Sequence, residues 1–334
     1  MIWVFVVLVL SLLGPSKGSV SPPLLGVWSK SKDPDRECMQ LHLCTPKNMT
    51  YYLKDRPMGF YDSESACAML EREGIKKIFF VGDSYMRQIF QSFVITLTGD
   101  YKEGSVPLYF RGKKHRTHCQ WQTQFTHRNC SDEEGGFPPR EACVNNPSGP
   151  IKLIQYKEYY YSMENLDHCK NEKNATITLW SEGNHPVGKP RQSVNNYESY
   201  QAKYMNDFCP VNKRERPFVP GAGTGPHGVF SGPCSIWWVS THYRLKAYWP
   251  QEIPMRVEEF NQYMRMFFED GNSCGDIHYI DVYNMTMQLA TTPKLQPALL
   301  SYDDVHWNME VNLMKTQLLL SAFDRSGGKQ AQEG

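Results

Sequence analysis

Three things are scarce in this chain of 334 residues, and each scarcity excludes a class of protein. Charge of one sign is the first: 36 basic side chains stand against 35 acidic ones, for a formal net charge of +1. A nucleic-acid binder would carry a broad basic surface, so nucleic acid is not the expected partner. Long apolar runs are the second. The most apolar stretch, Ile2 to Leu13, spans 12 residues, short of the roughly 20 that a helix needs to cross a bilayer. No later stretch comes closer. Linkers and repeats are the third, because no Ser/Gly-rich or charged segment divides the chain and no internal period recurs. One large domain is expected.

What is present sets the compartment. Ile2 to Leu13 is interrupted only by Ser11, ends at Gly14-Pro15 and is followed by small residues, the pattern of a signal peptide over residues 1–18. Beyond it, ten cysteines lie between Cys38 and Cys274. An even number fits disulfides formed in an oxidising compartment, with connectivity open. Sequons at Asn48, Asn129, Asn174 and Asn284 agree with passage through the secretory lumen, and the protein is expected there (ER or Golgi) or outside the cell. A cysteine-bearing lead-in is expected over 19–70, the main domain over 71–325 and a flexible tail over 326–334.

Alternating apolar patterns predict an α/β domain with a mostly parallel sheet covered on both sides. Ile78 to Val81, Ala175 to Trp180, Ser235 to Thr241 and Ile277 to Tyr283 read as strands. Helical spacing runs through Tyr61 to Gly74, through Met86, Ile89, Phe90, Phe93, Val94 and Leu97, through Val257, Phe260, Met264 and Phe267, and through Asn308 to Phe323. The polar, Gly- and Pro-bearing region from Thr117 to Pro150 reads as a disulfide-tied insertion near the site.

The most informative stretch is Val81-Gly82-Asp83-Ser84, where a buried strand stops and an amphipathic helix starts. Either Asp83 or Ser84 can cap that helix. The same geometry also offers a serine hydroxyl as a nucleophile, which needs a base, and the base needs an orienting group. Asp303-x-x-His306 supplies both types on one turn. Downstream of the Ala175 to Trp180 strand comes Ser181-Glu182-Gly183-Asn184, whose amide could donate to an oxyanion. Ser84 and Asn184 can meet if the two strands are neighbours in a parallel sheet.

Other features have plainer readings. His115, His118 and His127 with Cys119 and Cys130 are zinc-type ligands, but bridged cysteines are expected instead and no metal is assigned. Gly221 to Gly225 is followed by Pro226 and reads as a loop rather than a phosphate cradle. Arg111, Lys113, Lys114 and Arg116 read as a solvated basic cluster. Tyr156 to Tyr161 and Trp237-Trp238 could form a carbohydrate platform, although core packing on both faces of a strand accounts for the tryptophans.

Val81-Gly82-Asp83-Ser84 with Arg87-Gln88, and Asp303-x-x-His306-Trp307, resemble the SGNH (GDSL-like) hydrolase superfamily over roughly Gly26 to Phe323. Within it they resemble the PC-esterase branch: trichome-birefringence-like wall O-acetyltransferases, the luminal domain of sialic-acid O-acetyltransferase, and neurexophilin and PC-esterase domain proteins. The resemblance implies a three-layer SGNH-like fold with disulfide-tied insertions. It makes Ser84 the nucleophile, His306 the base and Asp303, in preference to Asp304, the orienting acid. Asn184 and the Ser84 amide become the oxyanion hole, and Arg87 a substrate contact. Gly183 and Asn184 are adjacent here, whereas the superfamily usually spells that block Gly-x-Asn-Asp. Its further oxyanion glycine has two candidates, Gly99 and Gly112. The implied activity is transfer of an acetyl group to or from a glycan hydroxyl through an acyl-serine, with no bound cofactor and an acetyl donor as co-substrate. Hydrolysis of glycan acetyl esters, or non-catalytic binding on the same fold, are the alternatives.

Overall fold

The computed structural model describes residues 26–30, 49–53, 56–57, 60–107, 119–126, 130, 137–157, 175–181, 234–243, 257–262, 264–265, 277–291 and 306–324. The signal-peptide region, the sequons at Asn48, Asn129 and Asn174, the basic cluster, Gly221 to Gly225, Phe267 and the tail lie outside the described residues.

The described residues form two sheets. Strands β1 (Gly26–Lys30), β2 (Met49–Leu53) and β3 (Arg56–Pro57) form a small antiparallel sheet. The larger sheet has six strands: β4 (Lys77–Gly82), β5 (Arg140–Ala142), β6 (Ile151–Lys157), β7 (Thr176–Ser181), β8 (Cys234–Val239) and β9 (Ile277–Ile280). Its spatial order is β5-β6-β4-β7-β8-β9, and only the β5–β6 edge pairing is antiparallel. Central strands buried on both faces need apolar residues at nearly every position, which is why β4, β7 and β8 are legible as continuous runs.

The longer helices among the described residues are α1 (Ser63–Arg72), α2 (Ser84–Thr98), α3 (Val282–Thr291) and α4 (Met309–Phe323). Helices cover one face of the larger sheet. Phe80 meets Phe90 and Phe93 of α2 at 5.4 and 5.2 Å between ring centroids, and Trp237 meets Phe323 of α4 at 5.1 Å. On the opposite face, Trp238 meets Trp180 edge-on at 4.7 Å and Phe260 of a helical segment, 257–262, at 6.1 Å. Trp237 and Trp238 therefore point to opposite faces and both are buried, so neither forms the carbohydrate platform considered above. Tyr156, stacked on Phe79, is partly exposed. Residues 158–161 lie outside the described set.

Helices α2 and α4 run alongside each other in the same direction. Ser92 Oγ lies 2.7 Å from Thr316 Oγ1, and Phe93 lies 6.3 Å from Phe323 farther along both. At the far end Tyr61 and Gln317 exchange two bonds: the Tyr61 N–H donates to Gln317 Oε1 (2.7 Å), and Gln317 Nε2 donates to the Tyr61 carbonyl (2.9 Å). The Tyr61 hydroxyl and Arg72 both donate to the Asp324 carboxylate, at 2.9 and 2.7 Å.

The expected strand from Ile277 to Tyr283 stops at Ile280. Asp281 accepts a bond from the Asn284 N–H at 2.8 Å and Ser240 Oγ accepts one from the Tyr283 N–H at 2.8 Å. These side-chain acceptors satisfy amides at the start of α3 and outweigh the strand-like composition. The sequon at Asn284 lies inside α3, where the Asn284 side chain accepts from Gln288 at 3.1 Å and the Thr286 hydroxyl is buried.

Every described cysteine is bridged. Cys67 pairs with Cys143 and Cys119 with Cys130, while Cys234 is bonded to a cysteine outside the described residues. The Cys119–Cys130 bridge leaves neither thiolate to ligate zinc. No described helix is long and apolar enough to cross a membrane.

Candidate active site

Strand β4 ends at Gly82, whose φ of +150° lies outside the range that L side chains readily adopt. A Cβ there would overlap the carbonyl oxygen of Ser181 and lie 2.6 Å from Met86 Cγ. Glycine is required because the backbone passes this close to its neighbours while turning from strand to helix. Asp83 then caps α2, with Oδ1 accepting from the Tyr85 N–H at 2.9 Å and its carbonyl accepting from the Arg87 N–H at 3.1 Å. Of the two possible caps, Asp83 takes the role. Ser84 becomes the first helical residue, with its hydroxyl available for another partner.

That partner is His306. Ser84 Oγ lies 2.7 Å from His306 Nε2, and both residues are half-buried. The next residues in the chain anchor His306. Trp307 is buried and its indole N–H donates to the Tyr243 carbonyl at 2.9 Å. Asn312 donates to the carbonyls of Trp307 (2.8 Å) and Asn308 (3.1 Å). The Met309 N–H donates to Gln122 Oε1, so the 119–126 segment also braces the start of α4. Since α2 and α4 run in the same direction, their N-termini lie together beside the pair. Each contributes a partial positive charge that favours an anion.

The strand order places this pair at a functional position. Among the parallel strands, chain order maps onto space as 2-1-3-4-5, and the first connection leaves β4 in one direction while later strands build in the other. Ligands in such sheets sit outside the carboxyl ends of the strands at that reversal. Ser84 follows the carboxyl end of β4, and β7 is the neighbour on the other side of the reversal, with Gly82 paired to Ser181.

The remaining expected site residues divide. Arg87 is half-buried on the first turn of α2. Asn184, three positions beyond the end of β7, and Asp303, three positions before His306, lie outside the described residues, as do Asp304 and Gly112. Gly99 is not an oxyanion donor. It ends α2 in a left-handed conformation at φ +68°, its N–H donates to the Thr96 carbonyl, and the helix carries it about 22 Å from Ser84.

The sequence reading misses a buried polar group behind the pair: His242 after β8, and Lys315 and Asn312 on α4. Burial holds the Lys315 amine well below its ordinary pKa. Burial, and then the Asp83, Tyr279 and Asp281 charges, push the Tyr85 phenol upward. The available signal was Lys315 itself, set among Leu313, Met314, Leu318 and Leu319 on a helix with little polar surface.

A serine within hydrogen-bond reach of an imidazole nitrogen, at a helix N-terminus and partly open to solvent, has the arrangement of an activated nucleophile. No protein-family model matches the chain, and no curated protein sequence matches it. Among solved structures, a variant of an acetyl xylan esterase from Geobacillus stearothermophilus is similar at 13% identity, covering 74% of this chain and 94% of that one, with a TM-score of 0.37. Overlap this loose carries no weight for activity.

Proposed function

We propose that this protein is a serine acyltransferase of the secretory pathway, of the SGNH type and PC-esterase branch that its motifs resemble. It moves an acetyl group between a donor and a glycan hydroxyl. The observation that carries the serine chemistry is the 2.7 Å approach of Ser84 Oγ to His306 Nε2 at the reversal of strand order. In the first half-reaction the Ser84 hydroxyl gives its proton to His306 Nε2 as Oγ bonds to the acetyl carbonyl carbon. The C–O bond to the donor then breaks, and His306 returns the proton to the leaving oxygen. In the second half, His306 takes the proton of an acceptor hydroxyl and that oxygen attacks the acyl-serine; the bond from the acyl carbon to Oγ then breaks and His306 returns the proton to Ser84. Asp303 holds the imidazole tautomer and balances the imidazolium. Asn184 and the Ser84 N–H stabilise the tetrahedral oxyanion, the latter being one of the first-turn amides that helix geometry leaves without an intrahelical acceptor. Arg87 contacts substrate.

The test is an active-site serine probe followed by peptide mapping, then an assay with an acetyl donor and a glycan acceptor. Adduct at Ser84, absent in Ser84→Ala and strongly reduced in His306→Ala, is expected, with Asn184→Ala losing on the order of a hundredfold in turnover. Failure of Ser84 to react would leave a non-catalytic binding protein. Release of free acetate without transfer to glycan would make it an esterase.

A further inference from the structure

Behind the Ser84–His306 pair lies a buried polar knot that acyl transfer does not itself use. Lys315 Nζ donates to Asn312 Oδ1 at 3.0 Å and lies 3.2 Å from His242 Nδ1. The same nitrogen stands 4.9 Å from the ring centroid of Tyr85 and 5.9 Å from that of Trp307. His242 packs edge-on against both rings, at 4.6 and 6.3 Å. Lys315, His242 and Asn312 are each 0% exposed. Among the described residues no carboxylate forms an ion pair with Lys315.

Burying an amine is costly, and a chain seeking only stability would place a methionine or leucine there. The connectivity shows what the knot holds. Tyr85 is one peptide bond from Ser84, and Trp307 is one peptide bond from His306. The Lys315 nitrogen stands over both rings, where its N–H groups can point at either π face. Asn312 extends the link, because the amide that accepts from Lys315 also donates to the Trp307 and Asn308 carbonyls. The outer ends are fixed to the segment after β8: the Tyr85 hydroxyl donates to the Ser240 carbonyl at 3.1 Å and the Trp307 indole to that of Tyr243.

We propose that Lys315, with His242 and Asn312, is a positioning group that sets the reach between Ser84 and His306. The proposal rests on the serine reading above. It assigns Lys315 no contact with substrate. Lys315→Met keeps the length and apolar stem while removing the donors and the attraction to the rings. It is expected to unfold close to the wild-type temperature, since it also removes a buried amine. Its kcat should fall by about a hundredfold, the loss expected for misplacing reacting groups by about 1 Å. KM should change little, because the side chain is out of reach of solvent.

The experiment measures thermal unfolding, the rate of Ser84 acylation by a fluorophosphonate probe, kcat and KM, and the 15N chemical shift of His306 Nε2, which reports its bond to Ser84. Slow acylation, a kcat loss without a KM loss and a displaced Nε2 signal in folded Lys315→Met are the expected results. A folded variant with the wild-type acylation rate overturns the proposal. If wild-type Ser84 does not react with the probe, the serine reading fails, and the Nε2 shift decides the positioning role alone: displaced supports it, unchanged overturns it. If Lys315→Met does not fold, His242→Phe, which keeps an aromatic edge against Tyr85 and Trp307 but removes the acceptor, takes its place with the same readouts. Collapse of both variants also overturns the proposal, since the knot would then support the core and nothing more.

Discussion

Gly82 and Ser181 share one rung of the parallel sheet, so closely that a Cβ on Gly82 would overlap the Ser181 carbonyl oxygen. The glycine of the Gly-Asp-Ser motif therefore has a steric role separate from the chemistry of the serine. Gly82→Ala adds both an unfavourable φ and an overlap with backbone, which cannot rotate away. A loss of about 3 kcal/mol is expected from strain and overpacking together. Urea unfolding measures it, and a loss below about 1 kcal/mol would show that the strand can shift to accept the methyl group.

The cap and the proposed nucleophile are distinct residues, which separates their effects. Asp83→Ala should lower stability by roughly 1 to 2 kcal/mol, because Asp83 accepts from the Tyr85 amide. Ser84→Ala should cost about 1 kcal/mol or less, since it gives up only the bond to His306. Acylation should show the opposite ranking, with Ser84→Ala inactive and Asp83→Ala retaining labelling wherever it remains folded. Denaturant titrations and probe labelling on the same preparations compare the two rankings.

Tyr61 links stability to alkaline pH. Burial, and then the Asp324 charge and its hydrogen bond, raise the Tyr61 phenol above its ordinary value. A raised pKa means that the folded state keeps a proton that the unfolded chain loses near pH 10. The stabilisation is complete below that pH and declines as pH rises from there through the folded-state value. Tyr61→Phe should flatten the alkaline decline. Chemical unfolding of both proteins between about pH 8 and 11 tests this, and parallel curves would refute it.

The two described bridges should differ in weight. Cys67–Cys143 closes a separation of 76 residues and Cys119–Cys130 one of 11. Loop-closure entropy gives about 4.5 kcal/mol for the first and about 3 kcal/mol for the second. Replacing each pair with alanine and comparing midpoints in urea should reproduce that order. An inverted order would mean that packing around the short loop dominates over the entropy of the unfolded chain.

Legibility followed how locally each feature is encoded. Helix α2 was readable because Met86, Ile89, Phe90 and Phe93 repeat on one face, and β4, β7 and β8 because buried parallel strands are apolar throughout. Ser84 and His306 could be singled out by residue type, although their approach depends on α4 lying along α2. Strand β5 was not foreseen, since Arg140-Glu141-Ala142 has little strand character and is ordered by pairing with β6. Helix α3 was missed because its start depends on acceptors from Asp281 and Ser240 rather than on periodicity. Lys315 is a basic residue in a largely apolar helix, and the packing of α4 shows that it faces inward.

The approach of Ser84 to His306 spans 222 positions of chain, and this governs when the protein becomes competent during its synthesis. At typical elongation rates, about 10 to 45 s separate the emergence of the two side chains from the ribosome. During that interval Ser84 does not have His306 beside it, so the proposed chemistry cannot begin. Under the proposed serine mechanism, a translation product that terminates before residue 306 lacks the base and is expected to be inactive rather than weakened, however much of the sheet it has already assembled.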